Sequence, residues 1–559
     1  MDIRRHLLIL AVALVAGGAL VAPAVAPAAG PPPGYNLNSQ QAIRIARSDP
    51  KLVAEEAKYG HLVPSAQAKN ATWEVGFYKG ERELVLVIVD DATETIKESW
   101  TGYQVAWQMA RGYPGAFGRK INAPYVWLPL CGFFLLGLLD WRRWRRIVHL
   151  DLAVLLAFGV SHYFFNRADI GVSVPLAYPV LAYLLARMLW IGFRGRGEGL
   201  RPSLPTGWLA LGAIFLLAFR VALNLADSNV IDVGYAGVIG ADRITHGQPI
   251  YGTDTFPTDN ATGDTYGPVN YYAYVPFELA FPWSGSWDDL PAAHGAAIAF
   301  DLITVAGLFW LGRRIRPGPR GTRLGVILAY AWAAYPYTAF ALESNSNDTL
   351  VAALIVGALL LISSPVGRGA MLGIAGMTKF APLMLAPLFA VGVRDGPNEG
   401  GARGRWLDLP LRRVLAFSAA LLATTALLVA WPAIDPGLAT FWHRTVASQA
   451  TRDSPFSIWG QTSLGGLHTA VEVLTVLFAV ALAFVPRRRD LRQVAALGAG
   501  AMIAVELCLD HWFYLYIPWF FPLLIVALAL GTRTPARLRG TEDQVREAVE
   551  APPPVATPA

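Results

Sequence analysis

Apolar runs near the length of a bilayer-crossing helix, about 18 to 20 residues, return along most of this chain and limit what it can fold into. They fall at about residues 124–140, 147–165, 172–192, 206–225, 292–312, 324–342, 348–363, 368–378, 380–393, 414–431, 467–485, 493–509 and 513–531. Only 15% of the 559 residues are charged, against about 25% in an ordinary soluble domain. The expected fold class is a polytopic α-helical membrane protein of about 13 spans. The runs 368–378 and 380–393 are too short to cross. They predict two half-helices meeting near Lys379, tolerated where backbone is packed in protein or lines a cavity.

Charge tests this layout. The net charge of +6 could suggest nucleic acid, but the arginines sit in short clusters between apolar runs, so no nucleic-acid partner is expected. If residue 30 starts outside, the inner loops hold WRRWRR (Trp141 to Arg146), RGRGEGLR (Arg194 to Arg201), RRIRPGPRGTR (Arg313 to Arg323), Arg394 to Arg413 and RRRDLR (Arg487 to Arg492). The outer loops hold few basic residues: Arg167, Arg243, Arg444 and Arg452, with Lys379 near the half-helix turn. That asymmetry follows the positive-inside rule, and shifting one span would invert every later loop. The expected location is the bacterial cytoplasmic membrane, multi-pass, with the long loops extracytoplasmic.

The N-terminus fits an export signal over 1–28. Arg4 and Arg5 form its basic region, residues 7–22 its apolar core, and Ala26 and Ala28 the small residues before a cleavage after Ala28. An uncleaved signal anchor is the alternative. Residues 30–122 form an expected extracytoplasmic α/β domain. Ser39 is placed to cap a helix running to about Arg47. Trp73, Val75 and Phe77, then Lys79-Gly80, then Leu84 to Val89 predict a hairpin. TGYQVAWQMARG (Thr101 to Gly112) predicts an aromatic-rich helix. AIRIARSDP, WEVGFYKGERELVLVIVDD and SWTGYQ resemble a PepSY-like domain, which implies an accessory or regulatory part. The tail at 540–559 is rich in Ala and Pro and is expected to be disordered and cytoplasmic.

Two outer loops are long, about 226–291 and 432–466, and rich in Trp, Tyr, His and acidic residues. In the first, Asp232, Tyr235, Ile239, Asp242 and His246 fall close to one helical face. A carboxylate at the membrane surface can act as general base on a hydroxyl; a solvated helix face is the plain alternative. Asp227 lies nearer the membrane. Lys379 is either functional or snorkels from a helix end. Arg452 is either an anion ligand or an exposed loop charge, and His511 either a ligand or an interfacial neighbour of Trp512. Arg220, inside a span, either lines a site or snorkels. Trp283, Trp287, Trp442 and Trp459 suit stacking on sugar faces or an interfacial belt.

Asp232 with Tyr235, then HGQPIYG, then YGPVNYYAYVP (Tyr266 to Pro276) resembles the first outer loop of GT-C superfamily glycosyltransferases. The nearest resemblance is to the bacterial polyprenyl-phosphate-mannose-dependent type. ESNSND (Glu343 to Asp348), GMTKFAPLMLAP (Gly376 to Pro387) with its Lys-x-x-Pro turn, RDSPFSIWG (Arg452 to Gly460) and HWFYLYIPWFFP (His511 to Pro522) follow in the same order. The resemblance covers 206–531; the helices of 124–192 are additions to that core. It implies a hexosyl- or pentosyltransferase moving a sugar, mannose first, from a polyprenyl-phosphate-sugar donor to a glycolipid or glycan acceptor among membrane lipids. Asp232 would be the base, with Asp227 as alternative. Lys379, Arg452, Arg243, His246 and His511 would bind donor phosphate, and Tyr235, Tyr266 and Trp459 substrate.

No cofactor is expected. Asp254 and DNATGD (Asp259 to Asp264) offer oxygens, but their spacing matches no calcium loop, so solvation is preferred to a divalent cation. Cys131 and Cys508 lie far apart in apolar segments, and no Cys/His zinc pattern or phosphate-binding glycine loop is present. A transporter or lipid flippase is the alternative function, kept open by the half-helices around Lys379. A sensor would leave the long loops unexplained.

Overall fold

The computed structural model describes residues 30–80, 82–112, 119–195, 197–257, 260–394, 410–450 and 454–531. The expected signal segment, the 540–559 tail, Asp259 and Arg452 lie outside them. The chain divides into two compact units, Met1–Arg111 and Gly112–Ala559.

In the first unit, helices α1 (Ser39–Ala46) and α2 (Pro50–Tyr59) precede four antiparallel strands in sequential order: β1 (Val63–Lys69), β2 (Thr72–Lys79), β3 (Arg82–Asp90) and β4 (Thr95–Thr101). Strand alternation buries Trp73, Val75 and Phe77 on β2 and Val85, Val87 and Val89 on β3. Ala42, Ala46 and Leu52 cover them as one core. Asn38, rather than Ser39, caps α1, in a reciprocal box with Gln41. The expected helix over Thr101 to Gly112 breaks in two. A short turn, α3 (Tyr103–Ala106), ends at an extended Trp107, and a 3-10 turn follows at Gln108–Arg111. The Arg111 guanidinium donates to the carbonyls of Gln104 and Val105, satisfying the groups that a longer helix would have paired.

The second unit is helical: α4 (Pro124–Leu138), α5 (Ile147–Phe165), α6 (Ile170–Arg194), α7 (Thr206–Ala226), α8 (Asp232–Thr245), α9 (Val269–Tyr272), α10 (Val275–Ala280) and α11 (Pro291–Ile315) come first. There follow α12 (Gly318–Ala334), α13 (Pro336–Glu343), α14 (Asp348–Leu360), α15 (Pro365–Gly376), α16 (Ala386–Val391) and α17 (Leu411–Pro432). The last are α18 (Leu438–Trp442), α19 (Ser448–Ala450), α20 (Ile458–Gln461), α21 (Gly465–Ala481), α22 (Leu491–Cys508) and α23 (Ile517–Ala529). Among the described residues, six helices are long and apolar enough to cross a membrane, or seven if α12 and α13 count as one span bent by 59°. Pro336 supplies that bend: it lacks an N–H and holds Tyr335 extended. The other expected runs fold as shorter helices, so apolar runs outnumber helices long enough to span alone. Helix continues from Leu411 past Pro432 to Ala447, interrupted by non-helical dihedrals at Asp435, so much of the expected second loop is helical.

The arginine-rich segments gather at one end of this unit. Arg146 donates to the Gly199 carbonyl, Arg323 to Pro202 and Arg492 to Gly195, while Arg394 pairs with Arg489 through backbone. Helix α7 starts near that end and carries Asn224 and Asp227 to the other, roughly 30 Å away at 1.5 Å per residue. The loops of interest sit there.

Candidate active site

Six consecutive polar residues, Glu343 to Asp348, are fully buried between α13 and α14. Such a turn survives only if its backbone and side chains find partners. Asn229 N donates to the Glu343 carbonyl at 3.2 Å and Ile231 N to Ser344 at 3.0 Å. Asn345 takes a left-handed φ of +48°, which asparagine tolerates better than most residues. Its amide donates to Ser228 Oγ and the Asn229 carbonyl and accepts from Asn224 Nδ2. Asn347 Nδ2 donates to Asn270 Oδ1 at 2.6 Å. This turn therefore joins α7, the start of the first loop and α9.

Lys379 reaches the same turn from the break between α15 and α16. Its Nζ lies 2.5 Å from Asp348 Oδ1, which also accepts from Trp519 Nε1 at 2.8 Å. The ammonium packs over the rings of Tyr516 and Trp519, 5.2 and 5.0 Å from their centroids. Asp348 opens α14, where the helix dipole favours a carboxylate. The first loop closes over this break: Val269 N donates to the Met377 carbonyl at 3.0 Å. A β-carbon at Gly267 would overlap that carbonyl, so only glycine allows the approach.

Asp232 opens α8, half-buried. Its carbonyl accepts from Asn260 Nδ2 at 3.0 Å, and Gly234 passes against the Asn345 carbonyl. Hence Asp232 and Lys379 are both anchored through the Glu343 to Asp348 turn. Asp227 is ion-paired to Lys120 at 2.8 Å. Arg243 and His246 lie at the far end of α8, roughly 16 Å along the axis from Asp232. Arg243 donates to the Pro249 carbonyl, and His246 contacts Asp242. The helix is buried nearly all round from Val233 to Ala241, so the expected single face does not sort its residues.

Tyr235 is a core residue, stacked on Trp287 at 4.5 Å. Tyr266 is held through its backbone by the hydroxyls of Tyr251 and Tyr271. Burial pushes both of those phenols well above their ordinary range. Trp459 stacks on His468 at 4.8 Å and donates to the Leu507 carbonyl. Trp442 is exposed. His511 Nδ1 lies 2.9 Å from Ser454 Oγ. Arg220 neither lines the site nor snorkels: it is buried against Asp301 at 3.0 Å and donates to carbonyls of α12. Asp264, for which solvation was expected, is instead fully buried and grips Arg444 through two bonds of 2.5 and 2.6 Å. That ties the second loop to the first. Among the described residues no group of three His, Cys, Asp or Glu side chains could hold a metal ion.

Asp348, Asn347, Asn270 and Trp519 join the site without having been singled out from sequence. ESNSND was legible as a motif opening a span. Its burial was not, because a polar run between apolar helices also suits a solvated loop. Residues 265–510 match the family model described as Glycosyltransferase family 87, a family of the GT-C type. The match includes Asn270, Asp348 and Lys379 and leaves out Asp232. No curated protein matches the chain. Together with the apolar helices, the family match supports a multi-pass membrane glycosyltransferase.

Proposed function

We propose that this protein transfers a sugar, mannose by the resemblance described above, from a polyprenyl-phosphate carrier to a glycolipid or glycan on the extracytoplasmic face of a bacterial membrane. The observation that carries this reading is that Asp232 and Lys379, distant in sequence, are anchored through one buried turn, by Ile231 N to Ser344 and by Lys379 to Asp348. Asp232 takes the proton of the acceptor hydroxyl as its oxygen attacks the anomeric carbon. The bond from that carbon to the phosphate oxygen breaks, and the electron pair leaves with the lipid phosphate. Lys379 stabilises the charge gathering there, and Arg452 is proposed as a second cation. One displacement inverts the anomeric centre. The acceptor and the N-terminal unit's accessory role belong to the same proposal.

The test is transfer of labelled mannose from polyprenyl-phosphate-mannose in membranes carrying wild type or Asp232→Asn. Loss of transfer at equal protein level supports the reading, and full transfer by the variant rejects Asp232 as base. The broken helix at Lys379 favours a second reading, a lipid flippase. It expects movement of the lipid across vesicles with no new glycosidic bond.

A further inference from the structure

We infer that Asp348 is a positioning residue: it fixes the Lys379 ammonium so that the remaining N–H donors face the anion. The inference rests on the proposal that Lys379 binds lipid phosphate. A lysine is a point charge on a flexible four-carbon stem, and by itself it does not hold a fixed direction. Here three elements constrain it. Asp348 Oδ1, at the start of α14, accepts both Lys379 Nζ at 2.5 Å and Trp519 Nε1 at 2.8 Å. Tyr516 and Trp519 present ring faces to the ammonium. The carboxylate side chain is 1% exposed and the lysine 12%. Thus the anchor is sealed while the cation keeps a small opening. One of the three N–H groups is directed to Asp348, leaving two to meet an incoming anion.

A buried turn could hold Asp348 for packing alone. Two features argue for positioning. Trp519 comes from a distant helix and donates to the same oxygen that holds the lysine, so it orients the carboxylate as well as filling space. The other carboxylate oxygen, Oδ2, has no hydrogen-bond partner among the described residues, so the pairing is set by direction rather than by the number of bonds. Asp348 is not placed to touch the reacting atoms; it acts through Lys379.

The experiment titrates a short-chain polyprenyl monophosphate into the full-length protein in nanodiscs, which needs no turnover. Asp348→Asn is expected to weaken binding roughly tenfold, and Lys379→Met more. In the Lys379→Met background, Asp348→Asn is expected to change nothing further, because a residue that acts only through another shows full coupling. Additive losses, or unchanged binding in Asp348→Asn, would overturn the positioning role. If Lys379→Met binds as wild type does, the phosphate role of Lys379 fails first and this inference with it. The double variant removes both charges of a buried pair and should fold even where a single variant does not. Trp519→Phe supplies the alternative cycle. It should weaken binding in wild type and leave the double variant unchanged; a loss persisting there overturns the inference.

Discussion

At the arginine-rich end of the helical unit, Arg368 donates to the carbonyls of Ile362, Phe389 and Ala390, and Arg489 to those of Gly392, Leu482 and Ala483. At the opposite end, both carboxylate oxygens of Glu343, Asn347 Oδ1, Asn270 Nδ2 and Asp348 Oδ2 are buried with no hydrogen-bond partner among the described residues. Both ends bury charge and polarity. At the first, Arg368 and Arg489 are satisfied by carbonyls that helices leave unpaired near their C-termini, while Arg492 Nη2 is buried without a hydrogen-bond partner among the described residues. The second leaves several polar atoms unpaired in the turn that anchors Asp232 and Lys379.

Four substitutions and a pH series test that contrast. Asp232→Asn should lower sugar transfer by about a hundredfold to ten-thousandfold with an unchanged unfolding midpoint, because it removes the proposed general base and keeps its shape. Measurable transfer within a few-fold of wild type would place the chemistry elsewhere. Gly267→Ala should cost about a hundredfold in transfer, since pushing the loop off Met377 displaces it by an ångström or more. At the arginine end the effects should reverse. Arg368→Ala strands three helix-end carbonyls and should cost about 3 kcal/mol of stability, read as a lower unfolding midpoint in detergent. Transfer per folded molecule should stay unchanged; a fall would mean that the two ends are not separable.

The smallest effect is on pH. Burial raises the Tyr251 and Tyr271 phenols above their ordinary value of 10.0. The unfolded chain ionises first as pH rises, so this contribution to stability is complete below that value and is lost above it. The unfolding midpoint should show no tyrosine-linked change between about pH 6 and 9 and should fall from about pH 10 upward. Tyr271→Phe, which lacks the hydroxyl, should blunt the fall.

Much of the helical framework was legible from composition and spacing. Each long apolar run is helical, the break at Lys379 lies between two short runs, and the β2–β3 hairpin follows its alternation. Boundaries were harder. The Leu411 helix runs beyond Pro432, and the Thr101 to Gly112 helix splits where Arg111 satisfies its carbonyls. Among site residues, Lys379 stood out because a lysine among apolar half-helices is costly. Asp348 did not, because an acidic residue at a helix start is common.

Local composition alone is enough to make the chain a multi-span helical protein. Its arginine asymmetry assigns the charged and aromatic loops to opposite ends, because bilayer thickness and the cost of buried charge act on local composition. Which polar residues meet depends on the packing of the helices. That packing drew Tyr235 and Arg220 into packing and ion pairing, gave Arg444 to Asp264, and set Asp348 against Lys379. Those pairings join residues from separate helices, and their partners are fixed by how the helices cross rather than by any spacing along one of them.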